Sequence, residues 1–198
     1  MLSEPARHEI AAPGPGATGV NQIYAIARHL THTMDEIVWA VNPQHDTLEG
    51  LVNYLEKFAL DFLAVADIRC RLDLPMQLPA WPLMAETRHN LFLAFKEALH
   101  NAVKHAGARE VRISLRIESE TFILGLEDDG VGFEPASVSA SRNGLENMRR
   151  RLKGIGGHCD LRTAPGQGTK IVFTVPIAAV SDEAAKIEAA NGNGYRKN

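Results

Sequence analysis

Three clusters in the second half of this chain hold residue types that could do chemistry together. The first is KEALHNAVKHA, residues 96–106, where Glu97, Asn101, Lys104 and His105 stand at i, i+4, i+7 and i+8. On a helix, that spacing lays a carboxylate, an amide, an ammonium and an imidazole along one stripe. An amide oxygen can ligate a hard cation and an ammonium can neutralise phosphate oxygens, so the stripe suits a magnesium triphosphate. Standing alone it would read as a solvated helix face. The second cluster is EDDGVGF, residues 127–133. Asp128 sits at a strand end, Asp129 fills a variable position, and Gly130 and Gly132 let backbone pass close to something flat or anionic. Alone, this is ordinary turn chemistry. The third is NGLENMRRR, residues 143–151, followed by GQGT, residues 166–169. Gly144 and Leu145 open a helix whose free N–H groups make an anion site. Gly166, Gly168 and Thr169 make a tight turn, while Arg149 and Arg150 read as a solvated basic face.

The elements that must position these clusters are legible in the pattern. A helix is predicted over about Met84–Ala106, with Leu91, Ala94, Phe95, Ala98, Ala102 and Val103 on its apolar face. Ile68, Cys70, Leu72 and Leu74 alternate as a strand ending at Pro75. Val111, Ile113, Leu115 and Ile117 alternate likewise, and TFILGLE follows as an antiparallel partner. Gly144–Leu152 reads as a helix, and HCDLRTA and TKIVFTVPI as a closing strand pair around PGQG. The expected fold class is an α/β two-layer sandwich, a mixed sheet with helices on one face.

Ahead of it the pattern is helical. Ile23, Ala27, Leu30, Met34, Ile37 and Val41 form one heptad seam, which Pro43 stops. A second helix starts near Asp46, an N-cap with Glu49 three residues on, and carries Leu48, Leu51, Leu55, Phe58, Phe62 and Val65. The period does not say whether these seams pack within one subunit or form a homodimer bundle. The organisation expected is a disordered leader over 1–19, a helical dimerisation segment over 20–66, an α/β domain over 67–178 and a flexible tail over 179–198.

Composition narrows the function classes. The chain has 198 residues, 21 Lys+Arg against 24 Asp+Glu and a net charge of −3, which argues against a nucleic-acid binder. No apolar run reaches the roughly 18–20 residues of a membrane helix, so no membrane contact is expected. Cys70 and Cys159 read as two reduced thiols of a cytoplasmic protein. No GxxxxGK[ST] and no HExxH occurs, which removes P-loop and zincin chemistry.

Taken in order, the three clusters resemble the N, G1 and G2 boxes of the GHKL (Bergerat-fold) ATPases. EALHNAVKHA, a short spacer and GLENMRRR look like the sensor histidine kinases related to nitrate sensors. MDEIVWAVNPQHDTLEGLVNYLEKFA resembles the segment just ahead of the ATPase in such kinases, and the likeness covers about Met34 to Ile177. The resemblance implies ATP and Mg²⁺ as ligands. It implies Asn101 as the metal ligand, Glu97 as the base or polariser of phosphoryl transfer, and Lys104 and His105 near the phosphates. It implies Asp128 as acceptor of the adenine amino hydrogen, in a base pocket shaped by Gly130 and Gly132. Gly144 and Leu145 would lie beneath the phosphates, and Gly168 and Thr169 behind the adenine. Partners implied are a second copy, through the N-terminal helices, and a response regulator.

The chain departs from the family pattern twice. The spacer Phe133–Asn143 shows no F box and is expected to be a mobile lid. Nothing like ExxRIARDLHDxLG precedes the ATPase, and neither His29 nor His32 has the expected acidic neighbour. The acceptor helix is therefore expected upstream, in a longer receptor. Two other readings are a stand-alone kinase acting on a partner's serine, as anti-sigma factors do, and a dimerisation module with a vestigial nucleotide site. The intact boxes count against the second, and the seams and the VNPQHDTLEG linker against the first.

Overall fold

The structure, a computed structural model, describes residues 47–119, 121–134 and 143–176. The leader, the first heptad seam, His29, His32, most of the spacer and the tail lie outside the described residues.

Helix α1 (Leu48–Val65) begins at Thr47, whose hydroxyl accepts the Gly50 N–H at 3.0 Å. The N-cap expected at Asp46 therefore sits one residue later. Glu49 falls at the second helical position, where it serves the helix dipole and not a capping box. Leu48, Leu51, Leu55, Ala59 and Leu63 are buried against the chain's own strand β1 (Arg69–Asp73) and helix α2 (Ala85–Asn101). An aromatic row closes the α1–α2 contact. Phe92 meets Tyr54 at 5.1 Å and Phe58 at 5.2 Å edge-on, and Phe62 meets the His100 ring at 4.9 Å. The second seam is thus packed inside the sheet domain, and the domain boundary expected at residue 67 moves to the N-terminal side of Thr47. Of that seam, Val65 alone stays open, at 91% exposure.

Strands β2 (Glu110–Glu118), β3 (Thr121–Asp128), β4 (His158–Thr163) and β5 (Thr169–Pro176) complete a five-stranded sheet of order β1-β2-β3-β5-β4. β1 runs parallel to β2, and the remaining neighbours are antiparallel. Alternation assigns the faces. Val111, Ile113 and Leu115 of β2, Phe122, Leu124 and Leu126 of β3, and Ile171, Phe173 and Val175 of β5 are buried. Arg112, Arg116, Glu127 and Lys170, between them in sequence, face solvent. The buried face is roofed by α2 and α3 (Asn143–Gly154), which opens one residue before Gly144. This is the mixed two-layer sandwich that the pattern predicts. Cys70 and Cys159 stand on the two edge strands as free thiols, and burial pushes the Cys159 thiol up to about 11. Among the described residues no helix is long and apolar enough to cross a membrane.

The predicted helix over Met84–Ala106 is regular only to Asn101. Ala102–Ala106 continue as a π-helical turn, closed by Gly107 in the left-handed region. An i→i+5 turn carries more residues per revolution than an α-turn, so positions that would line up on an α-helix drift apart beyond Asn101.

Candidate functional site

A cavity of about 350 Å³ opens between α2 with its π turn, the ends of β3 and β5, and the start of α3. It is lined by Glu97, Asn101 and His105 from the first cluster, Asp128, Gly132 and Phe133 from the second, and Gly144, Leu145 and Thr169 from the third. Ala98, Ala102, Ala106, Leu161 and Ile171 supply its apolar walls. Polar groups set into a mainly apolar cleft of this size are the usual form of a small-molecule site.

Asp128 is the most unusual group in it. Its residue is only 5% exposed, yet it is a carboxylate on the core-facing side of β3. The Gly130 N–H and the Thr169 N–H both donate to its Oδ1, at 3.0 and 3.2 Å. Burial nevertheless prevails and holds the carboxyl above the usual carboxylate range; the backbone N–H donors and the Thr169 hydroxyl offset this only in part. The next residue behaves in the opposite way. Asp129 Oδ1 accepts the N–H groups of Arg109 and Glu110 at 2.7 and 2.9 Å, in solvent. Those bonds, led by Glu110, draw its pKa below the ordinary value. The sequence pattern leaves Asp129 without a role, because its partners are backbone groups about twenty residues upstream.

The glycines work differently from the expectation that they admit a ligand. A Cβ on Gly130 would overlap the Ala106 carbonyl oxygen, and one on Gly132 the Ala164 carbonyl oxygen. A Cβ on Gly168 would run into the Asp128 carbonyl oxygen. What these three admit is neighbouring backbone. Gly132 and Gly168 also have φ of +58° and +68°, a region that side chains disfavour. Gly130 and Gly168 accordingly lie behind the cavity wall and not in it. Gly144 lies directly against the Glu97 carboxylate, which a side chain at this position would have to displace.

Lys104 is the expected site residue that does not join the others. It is exposed and does not line the cavity, whereas His105 does. The π turn is the reason, since it breaks the register that i+7 would keep on an α-helix. Thr163 is a neighbour of the cavity that motif reading misses, and Phe133 lines it though the motif gave it no role. Thr163 is a strand-end threonine with no motif of its own, and only the sheet register brings it beside Thr169.

Among the described residues no group of three or more His, Cys, Asp and Glu could cage a metal. The oxygen donors at the cavity, Asn101 and Glu97, fit a cation held by one or two protein oxygens and otherwise by its ligand's phosphates, as Mg²⁺ is.

Residues 86–179 match the family described as histidine kinase-, DNA gyrase B-, and HSP90-like ATPase. An uncharacterized sensor-like histidine kinase of Chloroflexus aurantiacus is 26% identical over 171 residues, covering 83% of this chain and 29% of the relative. The sensor histidine kinase LiaS of Bacillus subtilis is 30% identical over 129 residues, 65% of this chain and 34% of the relative. This chain therefore spans about a third or less of the length of these relatives. In structure it is similar to the blue-light activated histidine kinase EL346 of Erythrobacter litoralis. The TM-score is 0.60 at 18% identity, over 82% of this chain and 59% of the other, a likeness of fold.

Proposed function

We propose that this chain carries the ATP-binding catalytic domain of a sensor histidine kinase, as its match through residues 86–179 to the histidine kinase-, DNA gyrase B- and HSP90-like ATPases supports, and that it supplies the γ-phosphate of ATP for transfer to a histidine in two-component signalling. The observation that carries the proposal is the cavity itself. It joins a buried carboxylate at a strand end to an amide, a carboxylate and an imidazole on a helix, from segments about thirty residues apart. The nitrate-sensor likeness is carried by EALHNAVKHA and GLENMRRR alone, and the relatives are sensor histidine kinases of several kinds.

In this reading Asp128 accepts the adenine amino hydrogen. Gly130 and Thr169 fix the position of its Oδ1, so the carboxylate is already placed when the base arrives. Ala98, Ala102, Leu161 and Ile171 take the ring out of water. Asn101 holds Mg²⁺, which would draw charge from the phosphate oxygens. His105 and the first N–H groups of α3, at Gly144 and Leu145, border the phosphates. Glu97, whose carboxylate reaches Gly144, would polarise or deprotonate the incoming acceptor. Gly132 shapes the base end of the cavity; Lys104 has no place in it. The seam over residues 23–41 would hold two copies together, and a response regulator would take the phosphoryl group from the acceptor histidine.

Calorimetric titration with Mg·ATP tests this. The chain should bind, and Asn101→Ala should lose affinity about tenfold, the worth of one charge-assisted contact. Its thermal midpoint should change little. Absence of binding by the unaltered chain removes the function; equal affinity in Asn101→Ala removes the metal assignment.

A further inference from the structure

One cross-strand row at the site end of the sheet holds three oxygen-bearing side chains side by side. Asp128 of β3 is directly opposite Thr169 of β5, which is directly opposite Thr163 of β4. All three lie on the core-facing side of their strands, in register with buried Leu126 and Ile171 two residues along. Asp128 and Thr169 belong to the site already described. Thr163 does not line the cavity and belongs to none of the three clusters.

Its hydroxyl is nevertheless fully used. Thr163 Oγ1 accepts the N–H of Phe133 at 3.1 Å, and its own proton goes to the Gly168 carbonyl at 2.9 Å. It also lies 3.3 Å from Thr169 Oγ1. With its single proton committed to Gly168, it offers Thr169 only a lone pair, for which the Asp128 carboxylate competes, since the Thr169 hydroxyl has one proton to give. One hydroxyl therefore joins three things: the backbone of Phe133 where the chain leaves the cavity, the left-handed Gly168, and the threonine beside Asp128. Gly132 is packed on the Ala164 and Gly168 carbonyl oxygens of the turn that Thr163 closes, and Gly168 within that turn is packed on the Asp128 carbonyl oxygen.

We propose that Thr163 is a positioning residue of the nucleotide site. Its hydroxyl latches Phe133 to the Gly168–Thr169 turn, and so fixes both a wall of the base pocket and the N–H that orients Asp128. This rests on the reading of the cavity as an ATP site, but the latch itself exists without nucleotide and can be measured without it. Phe133 is in no strand or helix, so in the nucleotide-free chain its amide should exchange slowly only if Thr163 holds it.

The experiment measures amide hydrogen exchange on the nucleotide-free chain and calorimetric affinity for Mg·ATP, in the unaltered chain, Thr163→Val and Thr163→Ser. Valine keeps the branched shape and removes the hydroxyl; serine keeps the hydroxyl. Thr163→Val should speed Phe133 exchange about tenfold or more, with core amides such as Phe173 unchanged. It should weaken Mg·ATP about 5- to 10-fold, the worth of one or two hydrogen bonds. Thr163→Ser should restore both. An unprotected Phe133 amide in the unaltered chain overturns the latch without any variant, and so does a Thr163→Val chain that exchanges and binds like the parent. Loss in Thr163→Val that serine fails to restore also overturns it, since packing would then be the cause. If the unaltered chain binds no Mg·ATP, the ATP reading fails, and Phe133 exchange still decides the latch.

Discussion

Asp128 and Asp129 are consecutive and chemically identical, yet they stand in opposite surroundings. Asp128 faces the core at the end of β3, 5% exposed, and its carboxyl is held above the ordinary range by burial. Asp129 faces solvent and accepts two backbone N–H groups, which hold its carboxyl below that range. The period-2 alternation of a strand is what separates them. The wall of the cavity keeps a charge where folding alone would reject it. The loop outside uses its charge to hold the start of β2. One carboxylate stands in the cavity wall at some cost to the fold, and the other serves the fold.

Substitution at the two positions should therefore separate affinity from stability. The largest effect is expected for base selectivity at Asp128. Guanine presents a carbonyl where adenine presents an amino group, so two acceptors would face each other at a cost of about 1–3 kcal/mol. ATP should then be preferred over GTP by roughly 5- to 150-fold, and Asp128→Asn should blunt the preference because an amide can turn its NH₂ toward the guanine carbonyl. Competition against a fluorescent nucleotide reads this, and an unchanged preference would place the base elsewhere. Asp128→Asn should unfold no earlier than the parent at neutral pH, since the penalised charge is gone while Oδ1 still accepts both N–H groups.

Asp129→Ala should do the reverse. It strips the Arg109 and Glu110 N–H groups of their acceptor, and water replaces it in part, so about 1 kcal/mol of stability should be lost. For a domain of this size that is about 2–4 °C in the thermal midpoint. The ATP-over-GTP ratio should stay at the parent's value; a larger loss of selectivity here than at Asp128 would reverse the assignment.

Acid titration of stability sharpens the contrast. The Asp129 pKa is depressed on folding, so its contribution is complete above the ordinary carboxylate pKa and is lost as pH falls through its folded value. The Asp128 pKa is raised, so its ionised form weighs against the fold at neutral pH. That burden lifts as pH falls from the raised value toward the ordinary one. Denaturant midpoints followed from pH 7 downward should therefore fall less steeply in Asp129→Ala than in the parent, and more steeply in Asp128→Asn. Equal slopes in all three would show that the two environments do not differ in energy. The smallest effect is expected for Asp129→Asn, which keeps an oxygen acceptor and loses only charge. Its midpoint should lie between those of the parent and Asp129→Ala.

Much of this molecule was legible without coordinates, wherever a property is local or periodic. Val111, Ile113 and Leu115 alternate and are buried as alternation requires, and of the apolar face read on the helix Leu91, Ala94, Phe95, Ala98 and Ala102 are buried, while Val103, on the π turn, is only half-buried. The three clusters were findable because each is built of short contiguous runs, and one cavity gathers residues from all three. Tertiary structure alone decided what depends on groups distant in sequence. Heptad spacing in α1 could not say whose surface lay opposite, and it was the chain's own β1 and α2. Helical spacing put Lys104 in line with Glu97, but the π turn took it out of line, because a change of winding leaves no mark in residue spacing. Asp129 and Thr163 carry no motif. Their partners are backbone N–H and C=O groups that every residue possesses, so only the folded register selects which ones they meet.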